Sequence, residues 1–257
     1  MRMQHSYIRI LLMFLVSALG TPALHAQTAD DMVKEGDQLV RNLKEEDAIQ
    51  KYKDVLVIQP DNLPALIACS DLSSRIGNRQ SDKNKQRDFF TQAQEYAQKA
   101  LKVDSTSSDA NCVMAIALGR LALTESAKKK VAYVRDIKSY CDRAIQLNRT
   151  SYRAYHVLGK WNYEVSNLNA FERAAARMLF GGLPDASVKE AIRCYEKCRS
   201  LNPNFLLNYL EMAKAYKDDD QNEKALSALQ TLVHLPVQTE DDPGIKAEGR
   251  KMLDAMM

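Results

Sequence analysis

The sequence predicts an all-α fold: a right-handed superhelix of about five antiparallel helix pairs, closed by a C-terminal helix. Three observations carry that expectation. Apolar and small residues recur in blocks along residues 29–237, at the period of about 20–50 residues that marks repeat architectures. Gly and Pro number only nine and seven among 257 residues, too few for a many-turned β fold. Hydrophobic residues make up 46% and charged residues 27%, the balance of a chain that can fill a continuous core.

The N-terminus comes first. Arg2 and Arg9 precede a largely apolar run to Leu19, broken by Gly20 and Pro22, and Ala26 offers a small residue before Gln27. This reads as a secretory signal over residues 1–26, cleaved near Ala26 and leaving residues 27–257 as an exported, periplasmic or secreted domain. An uncleaved anchor is the competing reading, but the run after Arg9 is about 11 residues, short of the roughly 20 that span a bilayer. Cleavage takes the 36 basic residues to 34 against 33 acidic ones, a net charge of +1. That near-neutrality argues against general nucleic-acid binding, which needs a large basic excess.

The repeats follow in order. The first carries Gly36, Ala48, Tyr52, Val55 and Pro60. The second runs from Leu66 and Cys69 to Ala93, Ala97 and Ala100, and the third from Met114, Ala115 and Leu118 to Ile137, Cys141 and Ala144. The fourth opens with Tyr155, Leu158 and Gly159 and closes with Ala191, Tyr195, Cys198 and Pro203. The fifth holds Tyr209, Met212, Ala213 and Tyr216, then Ala225, Leu229, Leu232 and Pro236. This is the tetratricopeptide-repeat (TPR) pattern, in which bulky groups of one helix fill the space left by small residues of the next and Pro stops the second helix. The tail from Asp241 to Met256 predicts a capping helix, with Asp241 or Asp242 at its N-cap and Pro243 in its first turn. Asp218-Asp219-Asp220 reads as an inter-helix turn, with Asp220 or a neighbour as the next N-cap.

Three repeats carry extra length, around residues 77–88, 124–130 and 167–184. Such insertions tend to lie on one face of a solenoid, near its binding surface. The largest includes a helix-periodic stretch, Phe171 to Phe180 with Arg177, followed by a Gly-Gly-Leu-Pro turn.

Catalytic and metal chemistry find no support. No nucleophile elbow, phosphate loop or dinucleotide fingerprint is present. After cleavage only His156 and His234 remain, far apart and without ligand-spaced partners, so no metal and no cofactor is expected. Cys69, Cys112, Cys141, Cys194 and Cys198 are odd in number. Cys69, Cys141 and Cys198 fall at core repeat positions, which makes buried free thiols the plainer reading even of the Cys194/Cys198 pair.

The groove is more informative. Helical position puts Arg120, Arg153, His156, Lys160, Tyr163, Leu207, Leu210, Lys214 and Lys217 on the concave surface of the C-terminal half. Asp30, Val33, Asp37, Ile67 and Asp71 fall on the same surface in the N-terminal half. A groove basic at one end and acidic at the other suits an acidic peptide, a chain terminus or an anionic head group. Lys128-Lys129-Lys130 reads as a polar helix end, with peripheral contact to an anionic membrane as the sharper alternative.

From His156 the pattern becomes more specific than a generic TPR. The stretch His156-Val-Leu-Gly-Lys-Trp161, then Leu179-Phe180-Gly181 with Pro184, Glu190-Ala191, Asn202-Pro203 and Asn208-Tyr209 resembles the regulator of microtubule dynamics family. So do Ala213-Lys214-Ala215-Tyr216, Asn222 with Ala225-Leu226, and Leu235-Pro236. The resemblance covers roughly residues 130–256, and its most telling part is the Leu-Phe-Gly insertion that ordinary TPRs lack. It implies the fold. Members are associated with microtubules, organelle membranes and, for some, lipids, but an exported chain would not meet microtubules, and the family offers no catalytic residues to carry over. The expectation is a non-enzymatic scaffold in the cell envelope that holds a peptide or partner protein in its groove. The competing expectation is a carrier in which the 167–184 insertion closes over a lipid or other apolar ligand.

Overall fold

The computed structural model describes residues 28–124, 127–180 and 182–257, with side chains except at 127–129, 131, 171, 175, 179 and 180. The expected signal segment 1–26 lies outside these residues, as do the side chains of Phe171 and Phe180. Every regular element among the described residues is helical. In chain order the helices are α1 (Ala29–Arg41), α2 (Glu45–Ile58), α3 (Leu63–Arg79), α4 (Lys83–Val103), α5 (Ser108–Ala122) and α6 (Ala127–Leu147). They continue with α7 (Tyr152–Ser166), α8 (Ala170–Phe180), α9 (Val188–Leu201), α10 (Leu206–Asp218), α11 (Asn222–His234) and α12 (Asp242–Asp254). The pairs α1/α2, α3/α4, α5/α6, α7/α9 and α10/α11 are the five repeats, and α12 packs on α10 and α11 as the cap. The fold is a TPR-like α-α superhelix.

Local chemistry sets most helix boundaries. Thr28, Asn62, Asp82, Ser107 and Ser187 each accept a bond from a first-turn N–H, satisfying donors that the helix itself leaves open. Pro60, Pro203 and Pro236 each follow a helix end by two residues. Of Asp220 and its neighbours, Gln221 takes the N-cap position of α11; its side chain does not cap the helix but donates to Asp219 at 2.6 Å. Asp220 instead sits in the left-handed region at φ 57°. The Gln221 N–H behind it reaches back to the Tyr216 carbonyl at 2.8 Å, the bond that closes a helix C-terminus.

Glycine decides how closely the paired helices approach. A Cβ at Gly36 would lie 2.7 Å from the Tyr52 ring, and one at Gly159 would lie 2.7 Å from the Tyr195 ring. Both rings are buried, so the first and fourth repeats each stack an aromatic of the second helix on bare backbone of the first. Gly159→Val should therefore cost about 2–3 kcal/mol in urea unfolding, and a variant as stable as the parent would contradict this packing.

The extra length in two repeats is spent on helix rather than loop. Helices α3, α4 and α6 run to 17, 21 and 21 residues, against 13 and 14 for α1 and α2. Only the 167–184 insertion adds an element. Helix α8 packs mainly against α6, the outer helix of the third repeat, with Ala176 buried and Met178 85% exposed. Leu168, Leu183 and Ala186, which flank α8, pack on the core around Trp161. The five cysteines are buried free thiols, and burial pushes Cys69 up to about 12 and Cys112 to about 11.

Candidate functional site: the closed concave face

The first helices of the repeats (α1, α3, α5, α7 and α10) line the concave face, and its two oppositely charged halves meet each other. Arg153 of α7 pairs with Asp71 of α3, reaching past the intervening α5. Burial works against the Arg153 charge, but Asp71 outweighs it and holds the guanidinium more firmly protonated than usual. Lys160 pairs with Glu211 at 2.6 Å and Glu164 at 2.9 Å, while Lys214 pairs with Glu211 at 3.0 Å and Glu248 at 2.9 Å. Burial would raise the Glu211 carboxyl, yet the two ammonium groups hold it below the usual range. Tyr163 donates to Asp218 at 2.6 Å. Arg120 donates to Asn78 at 2.8 Å and forms no ion pair among the described residues. Burial lowers its pKa, with Asp241, Asp71 and Glu211 near enough to offset part of that loss.

His156 is buried rather than groove-lining. Its ring meets Phe205 edge-on at 4.9 Å and Tyr195 at 5.7 Å. Asn208 donates its amide to the Tyr195 carbonyl at 2.9 Å, so its oxygen is what faces His156 Nδ1 at 3.2 Å. That assigns Nδ1 as a donor. Burial pulls the imidazole pKa down to about 4 despite this acceptor.

A second network joins the two ends of the superhelix. Helix α2 begins after Lys44, which has no oxygen with which to cap it. The cap comes from 195 residues away: the Glu45 N–H donates to Glu240 Oε1 at 2.8 Å, and the Glu240 N–H returns to Glu45 Oε1 at 3.3 Å. This is the reciprocal logic of a capping box, built between the first repeat and the α11–α12 loop. Arg79 sits beside it, 2.8 Å from Glu45, 3.1 Å from Glu240, 3.0 Å from Asp241 and 3.7 Å from Glu46. Arg75 also pairs with Glu45, which is fully buried. Asp241 stands at the N-cap position of α12 without capping it, because its carboxylate is committed to Arg79. Asp242 fixes the loop by accepting from Gln238 N at 2.7 Å and Thr239 N at 2.8 Å.

The predicted groove residues thus divide. Arg120, Arg153, Lys160, Tyr163 and Lys214 lie on the concave side and are engaged within the chain. Leu210 is 1% exposed and belongs to the core, and Lys217 is exposed. Arg177 is exposed on α8, away from the concave face. His234 is exposed at the end of α11. A cavity of about 280 Å³ remains at the N-terminal end, bordered by Asp37, Arg41, Tyr52, Asp71 and Arg75. Sequence reasoning missed Glu45, Arg75, Arg79, Glu240 and Asp241. The spacing of Asp71, Arg75 and Arg79, one helical turn apart, was the available signal.

Comparison with known proteins adds the following. A family model described as "Regulator of microtubule dynamics protein 1-3" matches residues 32–257, well beyond the 130–256 of the sequence resemblance. Regulator of microtubule dynamics protein 3 of Xenopus laevis is 31% identical over 175 residues, which are 68% of this chain and 38% of that protein. The mouse protein 1 (Mus musculus) is 30% identical over 166 residues, 64% of this chain and 54% of that one. The matched stretch therefore spans about a third to a half of these relatives. Among solved structures, a thermophilic TPR protein of Thermus thermophilus superposes with a TM-score of 0.63 at 14% identity, covering 88% of this chain and 99% of that one.

Proposed function

This chain belongs to the regulator of microtubule dynamics family, and on that premise we propose that it is a non-enzymatic scaffold holding an extended segment of a partner protein on its concave face. The observation that carries the reading is the chemistry of that face. Charged side chains of α3, α5, α7 and α10 converge on it, as in surfaces that bind peptides through charge and hydrogen bonds. A lipid carrier would want a mainly apolar lining; here paired arginines, lysines and carboxylates stand beside the apolar groups Val40, Ala68 and Leu72, and α8 packs mainly on α6. The signal-like segment 1–26 supports action in the cell envelope after export.

Photo-crosslinking in the source cell tests this reading. A photoreactive residue at Asp37 or Lys217, both exposed, should yield a discrete protein adduct, while one at exposed Lys197 of outer helix α9 should not. Equal adducts from Lys197 would place binding on the convex side and sink the proposal. Fractionation with intact-mass measurement should find the chain outside the cytoplasm, beginning at Gln27. A cytoplasmic chain of full mass would overturn the envelope assignment.

A further inference from the structure

We propose that the lumen behind the α11–α12 loop is the docking site for an acidic partner segment, and that residues 238–242 are its intramolecular stand-in. The inference deepens the scaffold reading and rests on it. Three features point there. First, the loop from Leu235 to Asp241 is non-helical and lies against the first two repeats through the carboxylates of Glu240 and Asp241. The site is therefore seen in use, holding two acidic side chains of the turn that leads into α12.

Second, two of the receiving groups are satisfied only by the loop or by a neutral partner. The α2 N-terminus depends on Glu240 for its cap, and Arg120 meets the neutral Asn78 and, among the described residues, no carboxylate in ion-pair contact. The charges of Asp241, Asp71 and Glu211 favour its protonated form, against burial.

Third, the charge balance favours a replacement acid. With the loop in place, Glu240 and Asp241 join Glu45, Asp71 and Glu211 against the cations Arg75, Arg79, Arg120, Arg153, Lys160 and Lys214. Once the loop leaves, six cations face three carboxylates. Of the other acids nearby, Glu46, Glu164 and Glu248 are 63%, 61% and 55% exposed, where solvent and salt weaken their influence; Asp37 is exposed at the cavity edge, and buried Asp242 belongs to the loop, whose own amides it accepts. A segment carrying two or three adjacent carboxylates restores the balance. The tethered loop competes with it at the high effective concentration of a short connection, so the resting chain binds such a segment weakly.

The probe is a fluorescein-labelled peptide of residues 235–246, added to the full chain and followed by anisotropy at low and moderate salt. E240Q/D241N in the protein removes the loop's charges and leaves the lumen cations. It should tighten peptide binding at least tenfold over the parent and raise its salt sensitivity. Adding Arg120→Gln should reverse most of that gain. Hydrogen exchange supplies a second readout, in which the peptide should restore the Glu45 amide protection lost in E240Q/D241N. No gain from E240Q/D241N overturns the stand-in role, and a gain untouched by Arg120→Gln overturns the lumen as its place. Groove-specific crosslinks at Asp37 together with no gain here would leave the scaffold reading standing and sink this inference alone.

Discussion

Arg79→Ala is expected to destabilise the protein by about 2–3 kcal/mol and lower its melting temperature by about 5–10 °C. Removing one member of a buried ion pair costs about 3–5 kcal/mol because the other is left unpaired. Here Arg79 is 23% exposed while its partner Glu45 is fully buried, which moves the expectation toward the lower figure. Loss of Arg79 strands Glu45 with Arg75 alone and releases Glu240 and Asp241. Two consequences separate this from an ordinary surface ion pair, worth at most about 1 kcal/mol. The amides of Gln238, Thr239 and Glu45 should exchange faster in the variant, although they lie at opposite ends of the chain. Arg79→Lys should recover little, because one ammonium cannot span carboxylates from α2 and the α11–α12 loop as a planar guanidinium does. Urea unfolding with exchange mass spectrometry checks both, and a change below about 1 kcal/mol would contradict the network's role.

Acidification is expected to weaken the fold through His156. Its folded pKa of about 4 lies below the ordinary 6.5. Between these values the unfolded chain takes up a proton that the folded chain refuses. Stability on this account is intact above pH 6.5 and falls as pH drops toward 4, by about 3 kcal/mol in all. Below about pH 4 the folded state protonates as well and the loss levels off. His156→Gln keeps a side chain able to donate to Asn208 and removes the titration, so its stability should fall less over the same range. Urea midpoints at about pH 7.5, 5.5 and 4.5 for both proteins measure the difference. Parallel pH profiles would remove His156 as the cause.

The repeats were legible because TPR packing is local. Gly36 with Tyr52, and Gly159 with Tyr195, lie within one repeat, and their spacing follows from an aromatic seated on bare backbone. Extra length was visible, but its form was not. Residues 77–88 look like an inserted loop by count, whereas α3 and α4 absorb most of them as extra turns, since helix already formed extends cheaply. Groove polarity was readable from helical position, including Arg153, Lys160 and Asp71. The partner of each charge was not, because Arg153 with Asp71 depends on how tightly five repeats curl. Closure was furthest from reach. Glu45 and Glu240 are separated by 195 residues, and no periodicity relates them. Leu210 went astray for a related reason: α12 and the fifth repeat cover it, which turns a concave position into core.

The most direct test of the closed superhelix is a spin-label distance between Lys44→Cys and Gln238→Cys in the full chain. Both positions are exposed, and the five native thiols are buried, so labelling is selective. Contact between Glu45 and Glu240 calls for a single short, narrow distance distribution that lengthens and broadens in Arg79→Ala. A long or broad distribution in the Arg79 protein would show that the two ends of the superhelix stand apart, and would contradict the closure on which the docking site depends.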